Sequence, residues 1–204
     1  MSSIMDLIQQ QLGGGITDQL SRQLGADRSA TGNAIAAALP LLLGALARNA
    51  SREDGAGSLH NALAKDHDGS ILDNLAGFVG QGDQGPGAAI LRHVLGARQG
   101  RVERGLSATT GLDAGQVARV LTTLAPVVLG ALGKMQRQNQ LNPKDLGAAL
   151  GQERQAIERR APAEMGMLGA LLDADGDGDV DLSDLAKKGL GKLFGREGWS
   201  ILRR

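Results

Sequence analysis

Residues 40–46 read Pro-Leu-Leu-Leu-Gly-Ala-Leu, and residues 126–132 read Pro-Val-Val-Leu-Gly-Ala-Leu. Apolar residues around both stretches recur every three or four positions, which is the spacing of one face of an α-helix. Each proline removes a backbone donor and crowds the preceding turn, so we expect a kink inside each helix. We also expect Gly44 to let a neighbouring helix approach closely. The two stretches therefore predict two similar helices in the core.

The similarity extends well beyond these two stretches, with a constant offset of 86 positions (from 40 to 126). Residues 4–46 align with residues 90–132 without a gap. The aligned pairs include Gly25 with Gly111 and Asp27 with Asp113. This period is too long for a solenoid repeat, so the pattern predicts an internal duplication that forms two similar helical units.

The predicted fold class is all-α, a multihelical bundle built from an internal duplication and followed by a C-terminal helix-loop-helix. The first helical repeat spans residues 1–80 and the second spans residues 88–160, and we expect the two to pack as one body. The Gly/Pro-rich stretch 80–87 is typical of a linker. Residues 163–204 form a separate region, with an EF-hand-like loop and a basic C-terminal helix.

Several local patterns predict where helices begin. Asp27 or Ser29 can cap the helix that contains Pro40. Asn142-Pro143-Lys144-Asp145 combines a cap, a first-turn proline and an acid at the third position. Ser51 with Asp54, and Ser70 with Asp73, both fit the spacing of a capping box.

The composition limits the function classes. The chain has 204 residues with 22 basic and 22 acidic side chains, whereas a general nucleic-acid binder usually carries a basic excess. It has no cysteine, which excludes disulfides and thiolate metal sites. The N-terminus lacks the basic region of a secretory signal, and no apolar run reaches the ~20 residues of a transmembrane helix. We therefore expect a soluble, cytoplasmic protein without a transmembrane segment.

Residues 173–184 read Asp-Ala-Asp-Gly-Asp-Gly-Asp-Val-Asp-Leu-Ser-Asp and predict a calcium loop. Ca²⁺ prefers about six to eight oxygen ligands, and a twelve-residue loop supplies them from positions 1, 3, 5, 7, 9 and 12, with glycine at position 6. Gly178 occupies position 6. The predicted metal ligands, in that order, are Asp173, Asp175, Asp177, Asp179 (through its carbonyl), Asp181 (directly or through water) and Asp184. Ca²⁺ is accordingly the predicted cofactor.

Two features of the loop refine this prediction. Six carboxylates without a basic residue among them would repel one another unless a cation lay between them, although a solvated acidic turn is the alternative. Asp184 is shorter than the glutamate usual at position 12, so we expect modest affinity and weaker discrimination against Mg²⁺. The basic, apolar tail after the loop could lie on an anionic surface, pack on the body, or shield the loop until Ca²⁺ binds.

The chain resembles a known family in two places. The repeated segment around residues 40–50 and the stretch Ala64-Lys65-Asp66-His67-Asp68-Gly69-Ser70-Ile71-Leu72-Asp73 are similar to the bacterial DUF937 family, which is related to the YidB-like proteins. The resemblance covers roughly residues 4–155 and implies an all-α, multihelical bacterial protein. It implies no catalytic residue, because the family has no established activity. The loop 173–184 resembles EF-hand and dockerin-type sequences, and the dockerin type often has aspartate at position 12.

Other candidate sites are weaker. Asp66, His67 and Asp68 suggest a second cation, but an EF-hand frame there places Ala64 and Leu75 at ligand positions, so a capped helix start is favoured. Residues 80–85 match a dinucleotide motif by letter but follow no predicted strand, and the three histidines lack metal-ligand spacing.

Residues 19–39 have the pattern of a helix-turn-helix, a short helix followed by Gly-Ala-Asp and a second helix. The second helix carries Arg28 and Asn33, and the second repeat offers Gln116 and Arg119. Reading of the major groove needs polar and basic side chains at the base edges. These helices are otherwise aliphatic, so a core role is favoured over DNA recognition.

The functional prediction is a non-enzymatic bacterial protein that binds Ca²⁺ through residues 173–184 and has a structural or protein-interaction role. Its expected partners are calcium and a protein, either another molecule or a second copy of this chain. The alternative is a nucleic-acid-binding regulator that uses residues 19–39. A third hypothesis is an enzyme with a site between the repeats, around Asp66, His67 and Asp68.

Overall fold

A computed structural model describes residues 3–52, 54–81 and 86–160, and the regular elements in these ranges are all helices. They are α1 (Ile4–Gln11), α2 (Gly14–Leu24), α3 (Arg28–Ala50), α4 (Gly55–Asp66), α5 (Leu75–Gly80), α6 (Gly87–Leu95), α7 (Gln99–Thr110), α8 (Ala114–Asn139) and α9 (Pro143–Arg160), with 3₁₀ turns at Ser70–Asn74 and Gly96–Arg98. The predicted all-α fold class is confirmed. The predicted C-terminal helix-loop-helix, residues 163–204, lies outside the described residues.

The two long helices α3 and α8 begin in the same way. The carboxylates of Asp27 and Asp113 each accept a hydrogen bond from a backbone N–H in the first helical turn, at 2.7 and 2.8 Å. Gly25 and Gly111 end the preceding helices in the left-handed conformation, with φ of 60° and 80°, which glycine adopts without a steric cost. These shared features agree with the offset of 86 positions, although the duplication itself stays a prediction.

The predicted helix start at Pro143 is confirmed, but the predicted capping box at Ser51 is wrong. The Asn142 side chain accepts a hydrogen bond from the Asp145 N–H at 3.0 Å. Ser51 instead follows the last turn of α3, where its hydroxyl donates to the Arg48 carbonyl at 2.7 Å. Because α3 runs on to Ala50, Ser51 caps the end of one helix and is not available to begin the next.

Helices α3 and α8 lie at the centre of the described part of the chain. They pack against each other, α9 crosses α3, and α6 and α7 pack on α8. The buried side chains are mainly leucine, valine and alanine, and Leu42, Leu124 and Leu132 are almost fully buried. Burying one such leucine stabilises a protein by about 1.5–3 kcal/mol, whereas an exposed ion pair contributes about 0–1 kcal/mol. Aliphatic packing, and not surface charge, therefore accounts for most of the stability.

The close approach expected at Gly44 is wrong. No described atom lies within 4 Å of a Cβ placed at that glycine. The approach occurs instead at Gly130, the aligned position in α8, where an added Cβ would overlap the side chain of Ile71. The cause is tertiary: residues 66–72 cross α8, while no described segment comes equally close to α3 at Gly44.

Helices α3 and α8 are also long and apolar enough to span a membrane by length and composition. Within the described residues, 61% and 67% of their most apolar windows are buried against other parts of the chain. The core helix of a soluble protein passes the same test, so this is weak evidence. The expected absence of a transmembrane segment stays a prediction.

Candidate functional site

The predicted calcium ligands, Asp173 to Asp184, lie outside the described residues, so the loop stays a prediction from spacing. Within residues 3–52, 54–81 and 86–160, no group of three or more histidine, aspartate or glutamate side chains is placed to hold a metal ion. Asp66, His67, Asp68 and Asp73, the acidic segment considered for a second cation, therefore form no such cluster.

Asp68 organises this acidic segment by hydrogen bonding. Its Oδ1 accepts from the backbone N–H of Ser70 at 2.9 Å and from the Ser70 hydroxyl at 2.6 Å. Its Oδ2 lies 3.6 Å from Nη1 of Arg137 on α8. The hydrogen bonds from Ser70, and then the charge of Arg137, lower the pKa of Asp68 below its ordinary value.

The capping box predicted for Ser70 and Asp73 is wrong. The Ser70 hydroxyl is engaged by Asp68, and the short helix that follows is a 3₁₀ turn preceded by Gly69 in the left-handed conformation, with φ of 93°. With Gly69 in this conformation, the Asp68 carboxylate accepts from the first backbone N–H of the turn, which is that of Ser70. Asp68 therefore takes the capping role that was predicted for Ser70. Asp73 instead lies 3.9 Å from Lys134 of α8.

The same segment crosses α8 with its backbone almost in contact with that helix. A Cβ at Gly69 would lie 2.8 Å from Cβ of Lys134, and a Cβ at Gly133 would overlap the carbonyl oxygen of His67. Gly133 and Gly130 thus form a flat surface on α8 that receives residues 67–71. This packing explains the glycine at position 69 in the stretch that resembles the family, because a side chain there would collide with α8.

We expect replacement of Asp68 by asparagine to lower stability at neutral pH. The pKa of Asp68 is depressed in the folded chain, so its contribution is present above the unfolded value of 3.8 and is lost as the pH falls through the folded pKa. The difference between wild type and Asp68→Asn should therefore shrink between pH 6 and about pH 3. Urea unfolding at several pH values measures this difference.

Asp66→Asn is the matched control, because Asp66 is exposed and none of the hydrogen bonds or ion pairs described here involves it. We expect its unfolding midpoint to stay close to that of wild type across the same range. An equal loss of stability in the two variants would contradict the role assigned to Asp68.

Helices α2 and α3 are joined by a short turn within residues 19–39, but few polar groups of that stretch are free. Nε of Arg28 lies 2.6 Å from Oδ1 of Asp18. The first half of α3 buries Thr31, Ala34, Ile35, Ala38 and Leu39 and exposes Asn33. At the start of α8, Gln116 forms a capping box with Asp113 and donates to the Leu24 carbonyl at 3.1 Å. The nucleic-acid hypothesis stays an untested prediction.

A cavity of about 700 Å³ opens between α3, α4 and α6, with α8 behind it. Its aliphatic lining consists of Leu46, Leu59, Ala62, Ala89, Ile90, Val94 and Leu129. Its polar lining consists of Asn49, Arg52, Asp54, Ser58, His67 and His93. Nδ2 of Asn49 donates to the Val94 carbonyl at 3.2 Å and so links α3 to α6.

Sequence reasoning missed this cavity, because its lining comes from three separate parts of the chain. His67 follows α4 and His93 lies on α6, and their spacing in sequence matches no ligand pattern. Burial lowers the pKa of His67, although the charge of Asp66 opposes this shift, so the imidazole is neutral at pH 7. In the sequence, only the aliphatic faces of these helices indicate that they pack around a common space.

The described residues define a helical protein whose two central helices support an aliphatic cavity with a polar rim. The chain belongs to the DUF937 family of bacterial proteins of unknown function, which matches residues 6–135. The match begins within α1 and ends within α8, so it excludes α9 and the predicted calcium loop. No curated protein and no solved structure matches the chain.

Proposed function

We propose that this protein binds one calcium ion through Asp173, Asp175, Asp177, Asp179, Asp181 and Asp184. The observation that carries the proposal is the spacing of these aspartates, with Gly178 at the turn position. Each ligand position of a twelve-residue calcium loop has an oxygen donor of the kind that Ca²⁺ prefers. Without a bound cation, the mutual repulsion of the carboxylates would destabilise a compact loop.

We assign the ion a structural or docking role in a non-enzymatic protein. The loop follows the region matched by the family, so calcium acts on an appended segment and not on the family fold. EF-hands usually function in pairs, and this sequence has a single complete loop, which favours either a dockerin-like element or pairing between two copies of the chain. The basic residues after the loop, Lys187, Lys188 and Lys192, would attract an anionic surface of a protein partner.

The remaining parts of the proposal rest on the family and on composition. We propose the relation to YidB-like proteins from the likeness of the stretch 64–73, and a cytoplasmic location stays an expectation. The burial of most of the apolar windows of α3 and α8 supports a place for these helices in a protein core.

We expect titration calorimetry of the full chain to give saturable Ca²⁺ binding, with Kd on the order of 10⁻⁵–10⁻³ M because position 12 is aspartate. Mg²⁺ should bind more weakly. The variant Asp173→Ala/Asp177→Ala should lose the heat of binding, since it removes two carboxylate ligands. Light scattering with and without Ca²⁺ measures whether two chains pair.

Asp66→Ala/Asp73→Ala is the control for the change in charge, because it removes two aspartates from the acidic segment at α8. We expect its calcium binding to equal that of wild type. No heat at millimolar Ca²⁺, or the same heat in Asp173→Ala/Asp177→Ala as in wild type, would refute the proposal.

A further inference from the structure

We propose that the cavity between α3, α4 and α6 binds a small aliphatic carboxylate, a ligand with an unbranched or branched hydrocarbon body and one carboxylate head. This site is independent of calcium and of the loop 173–184. It uses residues of the DUF937 region, since all of its lining falls within residues 46–129.

The walls determine the body of the ligand. The apolar lining is contributed by leucine, isoleucine, valine and alanine, and the described lining contains no Phe, Tyr or Trp. Its two imidazoles, His67 and His93, belong to the polar rim. Sites for flat rings and nucleobases usually supply aromatic faces for stacking. A volume of about 700 Å³ lies within the ordinary range for small-molecule pockets, about 300–1,000 Å³. An aliphatic body therefore fits this lining better than an aromatic one.

The rim determines the head group. Arg52, His67 and His93 line the cavity, and within the described ranges their side chains make no hydrogen bond or ion pair with another residue. A guanidinium presents parallel N–H donors that match the two oxygens of a carboxylate. The acid on the same rim, Asp54, occupies the N-cap position of α4, and within the described ranges it forms no ion pair with Arg52. Arg52 is thus available to an anionic ligand.

Close contacts between backbones fix two edges of the cavity. A Cβ at Gly55 would overlap the Asn49 carbonyl, which fixes the start of α4 against the end of α3. A Cβ at Gly87 would overlap the Thr122 carbonyl, which fixes the start of α6 against α8. These contacts fix the first turn of α4 and the first turn of α6, each at one edge of the cavity. Fixed edges reduce the entropic cost of ordering the site when a ligand binds.

The chain has three histidines, and this allows a test by NMR on the full-length protein. Octanoate is added in the presence of a chelator, so that the calcium loop is empty. We expect the ring signals of His67 and His93 to shift saturably, with Kd on the order of 10⁻⁴ M for a ligand of this size. His60 should not shift, because it does not line the cavity and its Nε2 lies 3.1 Å from the Leu141 carbonyl.

Variants separate the two parts of the site. Arg52→Gln should weaken octanoate at least tenfold and leave 1-octanol unchanged, since only the carboxylate contacts the guanidinium. Ala89→Trp, which places a bulky side chain in the lining, should abolish binding of both ligands. Arg92→Gln is the matched control, because Arg92 is exposed on α6 beside His93 but does not line the cavity.

Any of the following results would overturn the proposal. The first is the absence of a saturable shift at His67 and His93, which is also the result expected if another part of the chain fills the cavity. The second is an equal shift at His60, which indicates non-specific association. The third is binding of octylammonium as tight as that of octanoate, or no effect of Arg52→Gln, which rules out the carboxylate. If Ala89→Trp does not fold, Arg52→Gln and the octylammonium comparison still decide the outcome.

Discussion

Gly133→Ala is expected to lower the free energy of unfolding by about 2–3 kcal/mol, the upper part of the range for overpacking. An added Cβ at this position overlaps the carbonyl oxygen of His67, which is backbone and cannot rotate away. Alanine gains up to about 1 kcal/mol over glycine in a helix interior, which offsets only part of this cost. The variant should also shift Gly69 and Ile71, because the whole crossing segment lies on the same surface of α8.

Gly44→Ala is the matched control for Gly133→Ala. Gly44 also lies inside a long helix, but no described atom is within 4 Å of its added Cβ. We expect its stability to be unchanged or raised by up to about 1 kcal/mol. Urea denaturation followed by circular dichroism measures both variants. Similar midpoints for Gly133→Ala and Gly44→Ala would show that residues 66–72 do not cross α8 as described.

Glu153→Ala is expected to lower the free energy of unfolding by about 2 kcal/mol, because it leaves two buried backbone donors without a partner. Glu153 is only 8% exposed. Its carboxylate accepts hydrogen bonds from the N–H groups of Ile4 and Met5 at 3.2 and 3.0 Å. A negative charge at the N-terminus of α1 also interacts favourably with the helix dipole. Glu153→Gln should lose less than Glu153→Ala, since the amide keeps one acceptor oxygen.

The control for this series is Glu158→Ala, on the exposed side of α9. Glu158 forms only a 3.8 Å ion pair with Arg154 one turn away, so its removal should change stability by less than about 0.5 kcal/mol. Hydrogen exchange adds a local measurement: Glu153→Ala should reduce protection in α1 more than in α8. Uniform loss of protection across the chain, or none, would contradict a local role for Glu153.

The parts of the fold that follow from short sequence patterns were predicted well. Asp27 caps α3 and Asn142 caps α9, because a cap depends on residues two or three positions away. Glycine at a left-handed helix end, as at Gly25, likewise depends on the local backbone alone. The residues that form these features are the same neighbouring residues that make up the sequence pattern, so the pattern alone predicts them.

The features that depend on distant residues could not be predicted in this way. Gly44 and Gly130 occupy equivalent positions in two similar stretches, and only Gly130 is covered, by a segment about sixty positions earlier in the chain. The spacing of Ser70 and Asp73 fits a capping box, but the turn at Gly69 gives the role to Asp68. The cavity combines four helices, so no single helix pattern reveals it.

The link between Glu153 and α1 also has a consequence for synthesis of the chain. Ile4 and its carboxylate partner are 149 positions apart. At roughly 5–20 residues per second, a ribosome needs on the order of 10 s to make the intervening chain. During that interval the N–H groups of Ile4 and Met5 have no access to their carboxylate partner on α9. Helix α1 is therefore fully secured only after α9 has left the ribosome, and until then water takes the place of Glu153 at its first N–H groups.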